Sequence, residues 1–346
     1  MRKVAVEQAI GLTLGHDITR IIPGKKKYRA FKRGHIVAAE DVSLLKDLGK
    51  EHVLIWESDD ELIHEDDAAL LLASSAAGAG IAYTRPNQGR VDLVAQYDGL
   101  LRVQLAQLQQ LNSLEHVIFS TLHNCRSVVK GQCVAGTRVV PVAVERELME
   151  KSQRLCRAPW PLVSVKPFQP LWVTVITTGS EVNSGRIQDG FGKVIRKKIA
   201  PFGGRWMGQI IVPDNSELIA AEIQNALAEG AQLILLTGGM SVDADDATPQ
   251  GIRASGAKVI SYGVPVLPGS QFMLAYQGHV AICGIPGGAL FSRKTTLDLL
   301  LPRIFAGEVI EKADLAALAH GGLCEGCPVC NYPQCPFGKN SFLQGG

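Results

Sequence analysis

The stretch from Glu229 to Pro249 carries several residue types that could bind a charged ligand. A short apolar run, Leu233 to Leu236, is followed by Gly238, Gly239, Ser241, Asp243, Asp245 and Asp246. Glycines allow a sharp turn and close approach of the backbone to a ligand, and backbone N–H groups can bind a phosphate. The stretch therefore predicts an anion-binding loop at the end of a buried strand, with an ordinary solvated strand-to-helix loop as the alternative.

Two further loops of the same type flank this stretch in the sequence. The first contains Thr178, Gly179, Ser180 and Glu181, and the second contains Pro286, Gly287 and Gly288. In a parallel sheet, all three loops can emerge at one edge, where helix amino termini favour an anionic ligand. Acids there, Glu181 and Asp246, suit Mg²⁺, because this ion is held by a few carboxylates together with substrate phosphates.

Four of the eight cysteines are crowded near the carboxyl end of the sequence. They are Cys324, Cys327, Cys330 and Cys335, in the spacing Cys-x₂-Cys-x₂-Cys-x₄-Cys-Pro. This spacing is close to that of a ferredoxin-like iron–sulfur run, and four thiolates also satisfy structural zinc. The crowding differs from the spread of a secreted disulfide scaffold. We expect an Fe–S cluster or Zn²⁺ here, with a flexible, reducible tail as the alternative.

The elements that would position these residues follow from a regular alternation over residues 171–305. Apolar runs alternate with helical patterns, which predicts an α/β fold with a mostly parallel sheet and helices on both faces. The expected strands are 171–177, 206–212, 232–237, one beginning at 259, and 279–285; the expected helices are 191–200, 214–229, 249–254 and 289–305. Asp214 is expected to cap its helix, because Glu217 follows three residues later, as in a capping box.

Composition limits the remaining possibilities. The chain has 346 residues and a net charge of +2, and 46% of its residues are hydrophobic. The length suggests two or three domains, and the charge balance gives no indication of nucleic-acid binding. Since no apolar run reaches the ~20 residues of a membrane span and the amino terminus does not resemble a signal peptide, we expect a cytoplasmic protein.

Residues 171–305 resemble the molybdopterin-binding domain of the molybdenum-cofactor biosynthesis family, of the MoeA/MogA type that includes gephyrin. The matching pieces are TTGSEV at 177–182, Gln188-Asp189-Gly190, PDNSELI at 213–219, LILLTGGMSVDADD at 233–246, VLPGS at 266–270 and IPGGA at 285–289. The stretches AIGLTLGHDITR and FKRGHIVAAEDVSLLKDLG resemble the linker domain of that family.

The resemblance implies a three-layer αβα domain, and the resemblance and the residue patterns together divide the chain into four parts. Residues 1–77 and 139–170 would form a mixed α+β linker-type domain, with 151–170 as a proline-rich linker, and 78–138 a small β-rich module. Residues 171–308 would form the α/β domain and 309–346 a cysteine-rich tail.

The resemblance also implies a ligand and a set of site residues. The domain would bind molybdopterin or its adenylate, and the molybdotransferase branch inserts molybdate with Mg²⁺. The residues that would bind the cofactor are Thr178, Gly179, Ser180, Asp189, Gly238, Gly239, Ser241, Pro268, Gly269, Ser270, Pro286, Gly287 and Gly288. Catalytic roles would fall on Asp246, Glu181 and Asp243, with Asp246 facing the metal.

The chain departs from the family pattern at several of these positions. Asp243 replaces a glycine, Ser270 replaces a lysine, and the Ser-Ala-Met-Asp-Gly-Tyr-Ala segment, which supplies an acid from the partner subunit, has no match. The resemblance therefore implies either a molybdotransferase-like enzyme or a non-catalytic carrier, chaperone or sensor of the molybdenum cofactor with a metal-binding tail. It further implies a homodimer and a molybdoenzyme as a partner.

Overall fold

The computed structural model describes residues 1–22, 24, 26–57, 61–179, 189–240 and 246–339. The chain forms two compact units. The first unit comprises residues 1–96, 103–122 and 131–164, and the second comprises residues 97–102, 123–130 and 165–346.

The strands of the described residues are numbered β1 to β19. They are β1 Arg2–Ala5, β2 Ile18–Ile22, β3 Lys26–Phe31, β4 His52–Ile55, β5 Leu62–His64, β6 Ile81–Tyr83, β7 Arg90–Ala95, β8 Gly99–Val103, β9 Val117–Thr121, β10 Ser127–Val128, β11 Cys133–Val139, β12 Ala143–Glu145, β13 Val163–Pro167, β14 Trp172–Thr178, β15 Arg205–Val212, β16 Leu233–Thr237, β17 Lys258–Tyr262, β18 Met273–Gln277 and β19 Val280–Ile285.

The α-helices of the described residues are numbered α1 to α10. They are α1 Asp41–Asp47, α2 Glu65–Ala76, α3 Leu105–Asn112, α4 Arg146–Arg157, α5 Phe191–Ile199, α6 Ser216–Ala228, α7 Thr248–Ala254, α8 Gly288–Phe291, α9 Thr296–Phe305 and α10 Lys312–Ala317. None of these helices has the length and apolar character needed to cross a membrane.

The second unit is built on a six-stranded sheet of order β15-β14-β16-β19-β18-β17. The pairs β14–β15, β14–β16 and β16–β19 are parallel, whereas β18 pairs antiparallel with both β19 and β17. The predicted, mostly parallel sheet is therefore confirmed. A smaller sheet of order β10-β8-β13 also draws most of its residues from this unit.

Both faces of the central strand β16 are covered by apolar side chains. Leu233 and Leu235 belong to one core cluster, whereas Ile234 and Leu236 belong to another. Alternate residues of a strand point to opposite faces of the sheet, so the continuous apolar run means that both faces are buried. Helices α5 and α9 contribute to the first cluster, and α6 and α7 contribute to the second. The α/β prediction and its three layers are confirmed.

The predicted single helix over residues 289–305 is wrong. The structure has two helices, α8 and α9, separated by residues 292–295. Helix α9 begins separately because Thr295 and Asp298 form a capping box. The Thr295 N–H donates to Asp298 Oδ2 at 2.9 Å, and the Thr295 side chain accepts from the N–H of Asp298. Such reciprocal capping satisfies amide groups that a helix start leaves open.

The first unit contains an antiparallel sheet of order β6-β7-β11-β9, together with α2, α3 and α4. Two-stranded pairs, β1–β4, β2–β3 and β5–β12, complete it. Residues 151–157, predicted as part of a linker, instead lie in α4, whose buried face is formed by Met149, Ser152 and Cys156. This narrow face contains a serine, which explains why no apolar stripe was visible in the sequence.

Candidate functional site at the carboxyl edge of the parallel sheet

The carboxyl ends of the parallel strands β15, β14, β16 and β19 lie at one edge of the sheet, where open α/β sheets bind ligands. Two contacts show that the predicted loops meet there. The backbone of Gly238 lies against Thr178, and a Cβ on Gly190 would be 3.5 Å from Leu290. The loops that follow β14, β16 and β19 are thus neighbours.

A layer of buried polar groups lies beneath these loops. Thr177 Oγ1 is 3.0 Å from Thr237 Oγ1, and Gln209 Nε2 donates to Thr177 Oγ1 at 2.8 Å. The same Gln209 amide donates to Asp189 Oδ2 at 2.7 Å. Because buried polar groups are costly unless they are hydrogen-bonded, this network fixes the ends of adjacent strands against each other.

Asp189 caps helix α5. Its two carboxylate oxygens accept from Phe191 N–H at 3.0 Å and from Gly192 N–H at 2.9 Å. A side chain that accepts from the first helical amides is typical of a helix cap. Together with the Gln209 bond, these contacts mean that the Asp189 carboxylate accepts hydrogen bonds from the protein itself. This geometry favours a role in positioning helix α5 over direct contact with a ligand.

The glycine pair at the end of β16 is required by the packing around it. Gly238 has φ +85°, and a Cβ there would collide with the carbonyl oxygen of Thr178. Gly239 has φ +50°, and a Cβ there would be 2.8 Å from Thr248 Oγ1 and 3.1 Å from Asp214 Oδ1. Side chains are disfavoured in this left-handed region, so both positions need glycine for the fold itself.

Asp214 is placed beside this glycine pair and does not cap helix α6, so the predicted capping role is wrong. Asn215 is the N-cap residue, because its Oδ1 accepts from the N–H groups of Glu217 and Leu218 at 2.9 Å each. The sequence at this point reads Asp-Asn-Ser. All three residue types are good N-caps, so the sequence alone did not show which of them caps the helix. Asp214 is therefore a candidate site residue that the sequence analysis missed.

The loop containing Pro268 and Gly269 is held to the start of helix α9. Thr296 Oγ1 donates to the Gly269 carbonyl at 2.8 Å, and Gly269 has φ +111°. Ser270 accepts from Val264 N–H through its carbonyl oxygen at 2.8 Å. These contacts fix the loop backbone without using the Ser270 hydroxyl.

The loop after β19 is different, because its glycines face open space. Pro286 is buried, whereas Gly287 and Gly288 are exposed, and a Cβ on either glycine would meet no atom of the described residues within 4 Å. Gly287 also has an ordinary backbone conformation, with φ −52° and ψ −26°. The packing of the described residues therefore does not require glycine at these two positions.

Of the remaining predicted site residues, some are buried, one is half-buried, and others lie outside the described residues. Thr178 and Gly179 are buried at the end of β14, and the Thr178 hydroxyl is 2.9 Å from that of Thr248. Asp246 is half-buried just before helix α7. Four predicted residues lie outside the described residues: Ser180, Glu181, Ser241 and Asp243.

No preformed site for a single metal ion is present in the described ranges. Within them, no group of three or more His, Cys, Asp or Glu side chains is placed to hold an ion. Of the tail cysteines, Cys324 and Cys335 are half-buried, whereas Cys327 and Cys330 are exposed, and all four are free thiols.

Comparisons with known proteins agree with this geometry. Residues 174–306 match the family described as "Probable molybdopterin binding domain". These residues form a molybdopterin-binding domain. The family is that of molybdenum cofactor biosynthesis. Residues 3–57 match a family described as a domain of unknown function (DUF8806).

The alignments with individual relatives cover only part of each relative's length. The chain is 28% identical to the molybdopterin molybdenumtransferase of Synechococcus elongatus in a 153-residue alignment that covers 40% of this chain and 38% of the relative. It is 36% identical to a CinA-like protein of a Mycobacterium species over 74 residues, which are 21% of this chain and 18% of the relative. The chain thus spans well under half the length of these relatives.

Among solved structures, MoaB from Thermus thermophilus aligns with a TM-score of 0.34 and 24% identity. The alignment covers 38% of this chain and 91% of the MoaB chain.

Proposed function

We propose that the molybdopterin-binding domain acts as a molybdotransferase, which inserts molybdate into adenylylated molybdopterin at the carboxyl edge of the sheet. The observation that carries this proposal is the position of Asp214, whose Oδ1 lies next to Gly239 at the turn after β16. A carboxylate beside a glycine turn can orient a metal-bound phosphate, whereas the turn itself offers backbone amides.

The open loop supports the same site. Gly287 and Gly288 leave space above the end of β19, and the loop lies next to the start of helix α5 through the Gly190–Leu290 contact. A bulky planar ligand such as a pterin needs room of this kind beside a rigid wall. The buried threonine layer below provides the rigidity, since Thr177, Thr237 and Gln209 are joined by hydrogen bonds.

The carboxylates at this edge fit Mg²⁺ as the metal of the proposed reaction. Mg²⁺ is usually held by one or two carboxylates with substrate phosphates and water, so a cage of three protein ligands is not required. Asp246 and Asp214 would hold the ion. When bound, it would neutralise charge on the phosphate oxygens.

A non-catalytic carrier of the molybdenum cofactor is the second candidate. It is favoured by Ser270, which stands where the resembled family has lysine and whose loop is fixed by its own backbone contacts. A missing lysine removes a cation that would stabilise charge on a transferring phosphate. A carrier needs affinity for the pterin but not this stabilisation.

Incubation of the purified protein with adenylylated molybdopterin, Mg²⁺ and molybdate distinguishes the two candidates. Release of AMP that depends on molybdate and Mg²⁺ is expected for the molybdotransferase. Tight binding of the pterin without AMP release would contradict the enzyme and support the carrier. Absence of pterin binding would contradict both.

The proposal extends to assembly and partners. A homodimer in the cytoplasm that passes its bound cofactor to a molybdoenzyme is the arrangement that we propose for either candidate. Light scattering of the purified chain tests the dimer, because a mass near 37.1 kDa would show a monomer instead.

A further inference from the structure

All four tail cysteines of the second unit line one cavity. Its volume is about 430 Å³, and its other walls include Pro268, Lys294 and Tyr332. The cysteines, Cys324, Cys327, Cys330 and Cys335, were predicted from spacing alone, so their convergence on one cavity is an independent structural observation.

The tail is folded against the domain core by its backbone. The N–H of Cys324 donates to the carbonyl of Leu267 at 2.8 Å, and the N–H of Gly338 donates to the carbonyl of Gly321 at 2.9 Å. Phe337 is 4% exposed within the core. These contacts close residues 321–338 into a loop whose first and last cysteines are anchored.

The two middle cysteines, Cys327 and Cys330, are exposed on the closed loop. Arg293 holds the backbone between them, since its Nη1 donates to the carbonyl of Pro328 at 2.7 Å. Arg293, Lys294 and Glu325 also line the cavity, so charged groups of both signs lie beside the thiols.

The arrangement favours a cluster over a single ion. A tetrahedral zinc ion, about 2.3 Å from each sulfur, requires four thiolates that nearly touch each other. The four cysteines instead line the walls of a cavity of about 430 Å³. A four-iron cluster places each cysteine on a different iron atom, so the thiolates stay further apart around a larger space.

We propose that Cys324, Cys327, Cys330 and Cys335 bind an iron–sulfur cluster of the four-iron type in this cavity. The cluster is assembled from sulfide and equal amounts of ferrous and ferric iron, so no further oxidant is needed, and each cysteine releases its thiol proton to solvent when its sulfur bonds to iron. Pro268, a predicted pterin-binding residue, also lines this cavity, but the two proposals rest on different observations and neither depends on the other.

Anaerobic reconstitution of the full chain with ferrous iron, ferric iron and sulfide tests the proposal. We expect about four iron and four acid-labile sulfide per chain, with the broad visible absorption of sulfur-to-iron charge transfer. The Cys330→Ser variant should retain less than half of this iron and sulfide. Since Cys330 is exposed, we expect the variant to keep the unfolding midpoint of the wild type, which circular dichroism checks.

A matched control is Cys133→Ser, because Cys133 is an exposed free cysteine of the first unit. This variant should load iron and sulfide like the wild type. Equal loading of wild type and Cys330→Ser would overturn the proposal. One tightly bound zinc per chain that iron and sulfide do not displace would also overturn it, as would absence of any bound metal.

Discussion

The side-chain hydroxyls of Thr178 and Thr248 lie 2.9 Å apart and join the end of β14 to the start of helix α7. Thr248 Oγ1 also donates to the Gly238 carbonyl at 3.0 Å. Since a hydroxyl has one hydrogen, Thr178 must be the donor to Thr248. This chain of bonds fixes the glycine turn that lies beside Asp214.

The first prediction concerns this chain of hydrogen bonds. The Thr178→Val substitution removes the donor to Thr248 in a buried region, so we expect a loss of about 1–3 kcal/mol in the free energy of unfolding. Urea denaturation measures it. In a double-mutant cycle with Thr248→Val, the two losses should not add, because the residues share one bond. Additive losses would show that the bond contributes nothing.

The second prediction separates two kinds of glycine at the site. Gly238→Ala should destabilise the protein by about 1–3 kcal/mol, because Gly238 has φ +85° and its Cβ would collide with Thr178. Gly287→Ala should leave the free energy of unfolding nearly unchanged, because its Cβ meets open space. Thermal denaturation compares them, and equal midpoints for the two variants would refute this distinction.

The third prediction concerns stability at acidic pH. The Glu308 carboxylate is buried, with Arg303 Nε at 2.8 Å and Lys166 Nζ at 3.1 Å. Burial tends to raise the pKa of Glu308, but Arg102, Arg303 and Lys166 outweigh it and hold the pKa below the ordinary value of 4.5. The unfolded chain therefore takes up the proton first, and stability from this group is lost as the pH falls below 4.5.

The Glu308→Gln variant tests this pH dependence. Removing one partner of a buried ionic network should cost about 3–5 kcal/mol at neutral pH. The variant should also lose less stability than the wild type between neutral pH and the acidic range. Glu229→Gln, at an exposed position, is the control and should follow the wild type. Parallel pH profiles of Glu308→Gln and wild type would contradict the assignment.

The fourth prediction concerns catalysis. If the domain is a molybdotransferase, Asp246→Asn should lower the rate of AMP release about 100-fold, which corresponds to about 2.7 kcal/mol. Pterin affinity should change much less, because the carboxylate would act through the metal. The control is Glu217→Gln, which removes an exposed carboxylate from helix α6. An unchanged rate in Asp246→Asn would exclude this residue from catalysis.

The sheet was predictable because its strands are unbroken apolar runs. The apolar run Leu233 to Leu236 predicted a buried strand, and the structure places its alternate residues in two core clusters. The apolar pattern of a segment is a local signal, so it can be interpreted without knowledge of tertiary contacts. The prediction that the loops meet at one edge of the sheet followed from the parallel topology alone.

Individual side-chain roles were less predictable, because they depend on contacts distant in sequence. Asp214 and Asn215 are both good caps, and only the approach of Gly239 to Asp214 distinguishes them. Likewise, Gly238 and Gly287 look alike in sequence. Their difference is that Thr178 lies against the first, whereas the second faces open space.

The central claim is that the pterin occupies the open space above Gly287 and Gly288, and the most direct test is to fill that space. Gly287→Leu adds a side chain whose Cβ would have no atom of the described residues within 4 Å, so the fold should persist. Molybdopterin affinity measured by fluorescence titration should fall at least about tenfold, or 1.4 kcal/mol, while the unfolding midpoint stays within error. Equal affinity in a folded Gly287→Leu protein would contradict the account.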